Sequence, residues 1–344
     1  MGEIIPYTPS ELISVITTVD KTKTNLFLSL FFRQEVTSPA RDIALDLIDS
    51  SDVPMAAFCS PMVGSRVMRD KGYETKSFTP GYLKPKKEID VSKLVPRWPG
   101  EVMSDMSGNR DALIGKALGE QQGAIDARKE WLAVQAITTG KNVISGDGIE
   151  KYEIDWKMSA ANRITQTDGT AWSNQDKETY DPNDDLENYA EAAQAPINVI
   201  IFGKKAWQLY RSFKSVKQSL DTRRGSNSRL ETTLQNLGEF VSHKGYVGDV
   251  AIIVYTGKYK NEDGTEEYYL DPMTIVMGNT SHKGLVAYGA IQDPAAAREG
   301  LTEASLYPKN YVVPGDPEIE YVQTQSAPQP IPAGIDKFVT VFVK

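Results

Sequence analysis

Cysteine and histidine are nearly missing from this 344-residue chain: Cys59 is the only cysteine, and His243 and His282 are the only histidines. A single thiol excludes an intramolecular disulfide and a cysteine-built metal site. Neither histidine stands at a zinc-ligand spacing. A glycine-rich dinucleotide fingerprint and a phosphate-binding loop are missing too, as is a nucleophile elbow. Cys59 therefore reads as a small buried hydrophobe and the histidines as surface or structural groups. Long apolar runs are also lacking. The longest, "NLFLSLFFR" from Asn25 to Arg33, is far too short to span a bilayer and reads as one or two buried helical turns. The N-terminus has Glu3 early and no basic region, unlike a signal peptide, and Pro6 stands where a myristoylation motif needs Ser or Thr. A soluble cytoplasmic product is the expectation. Basic excess is absent as well: the net charge of −8 argues against a protein that grips nucleic acid over a broad surface.

What is present is the composition of a folded globular protein, with 40% hydrophobic and 24% charged residues and enough length for more than one domain. No fixed-period repeat is visible, which argues against solenoids and propellers. The first 50 residues look helical in amphipathic pieces, punctuated by Pro6, Pro9 and Pro39. Asn109 to Thr139 is the clearest long helix, with Leu113, Ile114, Ala117, Leu118, Ala124, Ile125, Trp131 and Leu132 on one stripe. Asn109 is its expected N-cap and Gly140 its stop, giving a rod roughly 45 Å long. Gly115, Gly119 and Gly123 recur on the opposite side. Each costs about 1 kcal/mol relative to alanine, so the row reads either as a close-packing groove for another backbone or as a tolerated solvent face. Further on, "INVIIFG" reads as a strand, Trp207 to Leu220 as a helix, and Leu230 to Leu237 as another. "VAIIVYTGKY" is expected to pair with "EEYYL" through the Asp263-Gly264 turn. "TIVMGN", "VAYGAIQD" and "KFVTVFVK" read as further strands. Strands and helices mix without a regular βαβ rhythm, which makes the fold class α+β.

Two segments of opposite charge stand out. Ser60 to Asp90 holds seven basic and four acidic residues, net +3, with three prolines and a plausible hairpin tip at Lys71-Gly72. Ordering a residue costs roughly 1–2 kcal/mol of backbone entropy, more than a ribbon with so thin an apolar face recovers alone. Such a segment is either a loose loop or is stabilised by docking outside its own domain. Asp168 to Glu191 holds eight carboxylates against Lys177, net −7. It lacks the oxygen-ligand pattern of a calcium loop and reads as a solvated helix start after Pro182. Arg223-Arg224, in a Gly-Ser-Asn loop between two expected helices, make a weak nucleic-acid contact without an aromatic platform, and an interhelical loop touching a neighbouring subunit fits equally well.

The stretches "LFLSLFFR", "SFTPGYLKPKKE", "ETYDPNDDLENYA", "SFKSVKQSLDTRRGSNSRLET", "GDVAIIVYTG", "YGAIQD", "YPKN" and "QSAP" run collinearly from residue 25 to about residue 328. In these the chain closely resembles the major capsid (head) proteins of phage lambda and its prophage relatives. The long helix and the last residues, "PQPIPAGIDKFVTVFVK", match only loosely. The resemblance implies a Hong Kong 97 phage-type capsid fold. Its parts are expected as an N-terminal arm (1–50), an extended loop or β-hairpin (51–95), a peripheral domain (96–187) with the spine helix 109–139, an axial domain (188–310), and a return to the peripheral domain (311–344). It further implies a structural shell protein without cofactor or metal, not an enzyme. Copies would join non-covalently into hexamers and pentamers of an icosahedral head, assembled in the bacterial host cytoplasm around a scaffold. A portal, a prohead protease, a decoration protein and packaged DNA are the other implied partners. The residues expected at contacts between copies are Arg66, Arg69, Phe78, Tyr82, Lys84, Lys86, Lys87, Asp181, Asp184, Asp185, Arg223 and Arg224, with Gly115, Gly119 and Gly123 as close-packing positions on the spine. An encapsulin-like compartment and a carboxylate-pair hydrolase are the competing readings, the second without any nucleophile, base and oxyanion constellation to support it.

Overall fold

The computed structural model describes residues 6–18, 25–47, 74–89, 106–219, 240–261, 263–281, 284–315, 318–332 and 334–344. Cys59, Arg66, Arg69, the Lys71-Gly72 turn, Arg223, Arg224, His282 and the helix expected from Leu230 to Leu237 lie outside the described residues. The chain opens with helices α1 (Pro9–Thr18) and α2 (Leu26–Phe31). The apolar run does form the expected short buried helix, with Leu26, Phe27, Leu30 and Phe31 all fully buried. The helical reading of the arm ends there. Strands β1 (Phe32–Thr37) and β2 (Ile43–Leu47) follow, because a parallel ladder partner for β1 is supplied from far along the chain. Strands β3 (Glu74–Phe78) and β4 (Lys86–Glu88) precede the long helix α3 (Met106–Thr139).

Helix α3 starts ahead of Asn109, which therefore lies inside its first turn and is not the N-cap. Its end is where expected. Gly140 has φ +70°, and a Cβ there would sit 2.5 Å from the Met158 Cβ, so both backbone and space require glycine. The N-terminal half of α3 packs Ile114, Ala117 and Leu118 against Leu12 and Ile16 of α1 and against Ile89. Its C-terminal half joins Ala133, Val134, Ala136 and Ile137 to the main core. Ala124, expected in the apolar stripe, is exposed. Hairpin β5 (Lys141–Gly146) and β6 (Ile149–Asp155) follows, then β7 (Arg163–Thr165) and helix α4 (Pro182–Ala190).

Next come β8 (Val199–Gly203), α5 (Lys204–Tyr210), α6 (Lys214–Ser219), β9 (Val241–Val247) and β10 (Val250–Tyr255). The single helix expected from Trp207 is broken at Arg211–Phe213, where the buried Phe213 ring is wedged beside Trp172 and Tyr180 at 6.3 and 5.7 Å. The expected hairpin through Asp263-Gly264 forms, as β11 (Lys258–Lys260) and β12 (Glu266–Tyr268). The chain continues through β13 (Thr274–Gly278), β14 (Gly284–Tyr288), α7 (Pro294–Glu299), β15 (Tyr307–Val313), β16 (Ile319–Gln325), β17 (Pro328–Ile331) and β18 (Val339–Phe342).

A mixed six-stranded sheet in the order β7-β18-β13-β8-β10-β9 organises the centre. Its inner strands β8, β10 and β13 are continuous apolar runs because both their faces are covered. Alternate residues serve different cores: Ile200, Phe202, Ile252 and Val254 face Trp172, Trp207, Tyr210 and Phe213, while Val199, Ile201, Ala251 and Ile253 face α2 and α3. β16 and β17 do pack along α3, but β18 inserts between β13 and β7 of the six-stranded sheet. Val339 and Val341 fill one core, and Thr340 donates to the Ile137 carbonyl on the other side at 3.2 Å. A smaller sheet, β15-β16-β4, lies against the N-terminal half of α3.

Candidate assembly surface

β2 and β3 run antiparallel, with Ile43 opposite Phe78 and Leu47 opposite Glu74. The ribbon thus begins within the segment expected to be arm, and its second strand ends at Phe78, well before Asp90. Among the described residues it pairs with no other strand. A two-stranded ribbon is marginal in water, so its order depends on what it touches. At its base the contacts are good. The Phe78 ring meets Trp156 edge-on, with centroids 5.5 Å apart. The Thr79 hydroxyl donates to Asp42 at 2.5 Å, and the Tyr152 hydroxyl donates to the Thr79 carbonyl at 2.8 Å.

The chain then crosses the molecule as a clamp. Pro80 is buried against Gly289, where a Cβ would approach the Pro80 ring to 3.1 Å. The Tyr82 hydroxyl donates to Gln325 Oε1 at 2.6 Å and accepts from the Gln292 amide at 3.1 Å, and burial raises its pKa. Gln325 Nε2 donates in turn to Asp293 at 2.7 Å. Burial pushes the Asp293 carboxyl up, yet Gln325, the Ala295 amide and Lys309 outweigh it and hold the group below the usual carboxylate range. Leu83 exchanges two backbone hydrogen bonds with Ser326, at 2.8 and 3.0 Å, and β4 continues antiparallel to β16. No sequence motif announced this relay; only its proline pair hinted at a fixed path.

The three loop lysines have separate fates. Lys86 places its ammonium 3.5 Å from the Tyr321 ring centroid, beside Tyr311. Lys87 pairs with Glu120 on α3 of its own chain. Both are therefore engaged internally, as are Phe78 and Tyr82. Lys84 is exposed and makes no ion pair with the described residues. On the spine, Gly115 lies 3.7 Å (as a notional Cβ) from Val15 of α1, Gly119 is half-buried, and Gly123 is exposed with open space beside it.

The acidic segment also divides. Asp181 caps α4 by accepting from the Asn183 amide at 3.0 Å, with Pro182 in the first turn, as the sequence suggests. Asp185 points inward: it accepts from Trp172 Nε1 at 2.7 Å and from the Tyr180 hydroxyl at 2.6 Å. Burial, then this bond to Asp185, raises the Tyr180 pKa. Asp184 is exposed. A cleft of about 730 Å³ lies between the ribbon base and β5–β6, floored by Phe78, Tyr82, Tyr152 and Trp156 and rimmed by Arg41, Glu150 and Asp155. Among the described residues no cluster of three metal-ligating side chains occurs, and no helix is long and apolar enough to cross a membrane.

Comparison with known proteins places this geometry. The family model described as phage major capsid protein E matches residues 8–343. The major capsid protein of Escherichia phage lambda is 44% identical over 319 residues, covering 92% of this chain and 93% of that one. The major capsid protein of Enterobacteria phage P21 is 43% identical over 322 residues, covering 93% and 94%. The crystal structure of a prophage capsid protein of E. coli CFT073 superposes with a TM-score of 0.85 at 50% identity, covering 99% of this chain and all of the other. The capsid of cyanophage A-1(L), at 11% identity and a TM-score of 0.53, shares the fold alone.

Proposed function

From the premise that this chain belongs to the phage major capsid protein E family, and is a major capsid protein of a lambda-like phage or prophage with the Hong Kong 97-like fold, we propose how it builds its shell. Copies join without covalent links into hexamers and pentamers of an icosahedral head, and the β2–β3 ribbon of each lies across an adjacent copy. The observation that supports this is the ribbon itself: two strands bolted at the base, with no third strand beside them among the described residues. Lys84, Arg66 and Arg69, with Arg223 and Arg224, meet carboxylates such as Asp181 and Asp184 on neighbours, fixing register more than affinity. Gly119 and Gly123 mark where a neighbouring backbone runs beside the spine, while Gly115 lies beside Val15 of α1 in its own chain. The role is structural and not enzymatic. The acidic surface of a chain with net charge −8 lets packaged DNA slide past the wall. Assembly takes place in the host cytoplasm on a scaffold, with a portal, a prohead protease and a decoration protein as further partners.

Co-expression with a scaffold, followed by electron microscopy and a denaturing gel, tests this. Closed shells whose subunit runs at its 38.0 kDa monomer mass are expected. High-mass bands surviving denaturation would refute the non-covalent shell, and shells that form equally well with residues 48–73 replaced by a short turn would refute the ribbon's role.

A further inference from the structure

Glu130 sits in the middle of α3 with none of its surface exposed, at a junction of three elements. Its Oε1 accepts from the Phe27 amide at 2.9 Å and the Tyr255 hydroxyl at 3.1 Å, and its Oε2 accepts from the Leu28 amide at 3.1 Å. The two amides are unsatisfied first-turn donors of α2, so a spine-helix carboxylate caps a helix of the N-terminal arm from 102 or 103 residues away. Asn25, which precedes α2, makes no side-chain cap of its own.

Among the described residues, the surroundings supply no cation. α2 carries no titratable side chain, and β10 contributes Tyr255, on which Tyr269 stacks at 6.2 Å. On α3 itself, Lys129 pairs with Asp126 at 2.6 Å and donates to the Tyr288 hydroxyl at 3.3 Å, while Arg128 lies over Trp131. Tyr288 donates to Glu35 on β1 at 3.0 Å. Glu130 is thus a buried carboxyl held by neutral donors alone among the described residues. We propose that docking of the N-terminal arm onto the spine helix is linked to a proton on Glu130, so that raising the pH through neutrality loosens α2 from α3 and β10. Hydrogen bonds from dipoles offset part of the cost of burying the charge, but with no counter-ion among the described residues they do not offset all of it.

Burial pushes the Glu130 carboxyl up to about 7, against the Phe27, Leu28 and Tyr255 bonds that pull it down. An undocked arm returns Glu130 to water and to its ordinary value near 4.5. The docked state therefore binds the proton more tightly. Docking is strongest below the ordinary value and weakens as pH rises towards about 7, above which it is level.

Hydrogen exchange of the full-length chain, corrected for intrinsic rates, reads this directly. Protection of the Leu26–Phe31 amides is expected to fall about 30-fold between about pH 5.5 and about pH 8.5, while Val199–Gly203 of the central sheet holds steady. Glu130→Gln should flatten the pH profile, and Tyr255→Phe, which removes one donor, should move its midpoint upward. A wild-type change below about threefold would overturn the proposal, as would equal loss across the central sheet, which reports global unfolding instead. The wild-type series decides even if the Gln variant fails to fold.

Discussion

The strongest test of how the arm and spine are held concerns Arg110 and Glu320. Arg110, in the first turns of α3, donates from Nε and Nη2 to the two carboxylate oxygens of Glu320 on β16, at 3.1 and 2.6 Å. Asn310 on β15 adds a third donor at 2.8 Å, and the Tyr7 ring lies 5.0 Å under the guanidinium. The side chains are 18% and 6% exposed, so this is a nearly buried bidentate pair rather than a surface ion pair. The hydrogen bond to Glu320 raises the Arg110 pKa, and even without that partner a guanidinium remains charged, because its intrinsic pKa is so high. Glu320→Ala takes the acceptor away from both guanidinium bonds and from one Asn310 amide bond in a nearly buried site, which should cost about 3–5 kcal/mol. For a chain of 344 residues, with an unfolding entropy of about 2.1 cal/mol/K per residue, that is a fall in melting temperature of roughly 4–7 °C. Arg110→Met should cost a similar amount, and the double variant Arg110→Met/Glu320→Leu should recover at least half of the summed loss. Thermal and denaturant melts of all three variants measure it. Single-variant losses below 1 kcal/mol, or strictly additive ones, would show that the pair does not hold the α1–α3–β16 corner together.

Other outcomes follow from the same geometry. Lys84→Glu should leave the melting temperature of the subunit within about 1 °C, as a surface change does, yet lower the yield of shells seen by electron microscopy. Gly140→Ala forces both a left-handed backbone and a contact at 2.5 Å with Met158, and should destabilise by more than about 1 kcal/mol in a denaturant melt. Phe338→Ala empties the space beside Phe31, whose ring centroid lies 4.9 Å away, for about 3–5 kcal/mol on the same assay. Asp185→Ala leaves the Trp172 indole N–H without its acceptor and should cost about 1–3 kcal/mol, with a shift in tryptophan fluorescence.

Much of the framework is local and was therefore legible. The apolar run around Phe27 and Phe31 became a buried helix, "VIIFG" and "VAIIVY" became buried strands, and Gly140 ended α3, because burial, β-branching and the glycine backbone act within a few residues. Asp181 and Pro182 start α4 for the same reason. The family was legible too, since collinear strings of residues suffice for a resemblance, and the comparisons bear it out over residues 8–343.

What the chain's order of residues left open is set by partners distant along it. β1 is a strand only because β14 offers a parallel edge more than two hundred residues later. Lys86 and Lys87 looked like cations awaiting a neighbour, but β16 carries Tyr321 beneath one and α3 carries Glu120 beside the other. Nothing in the sequence singles out Glu130, which packing places under the α2 amides and out of water. Composition and periodicity fix which residues need burial, extension or a turn, since those are one-body properties of side chain and backbone. Which hydrogen bonds and charges end up paired depends on distances across the fold, and only the tertiary structure decides those.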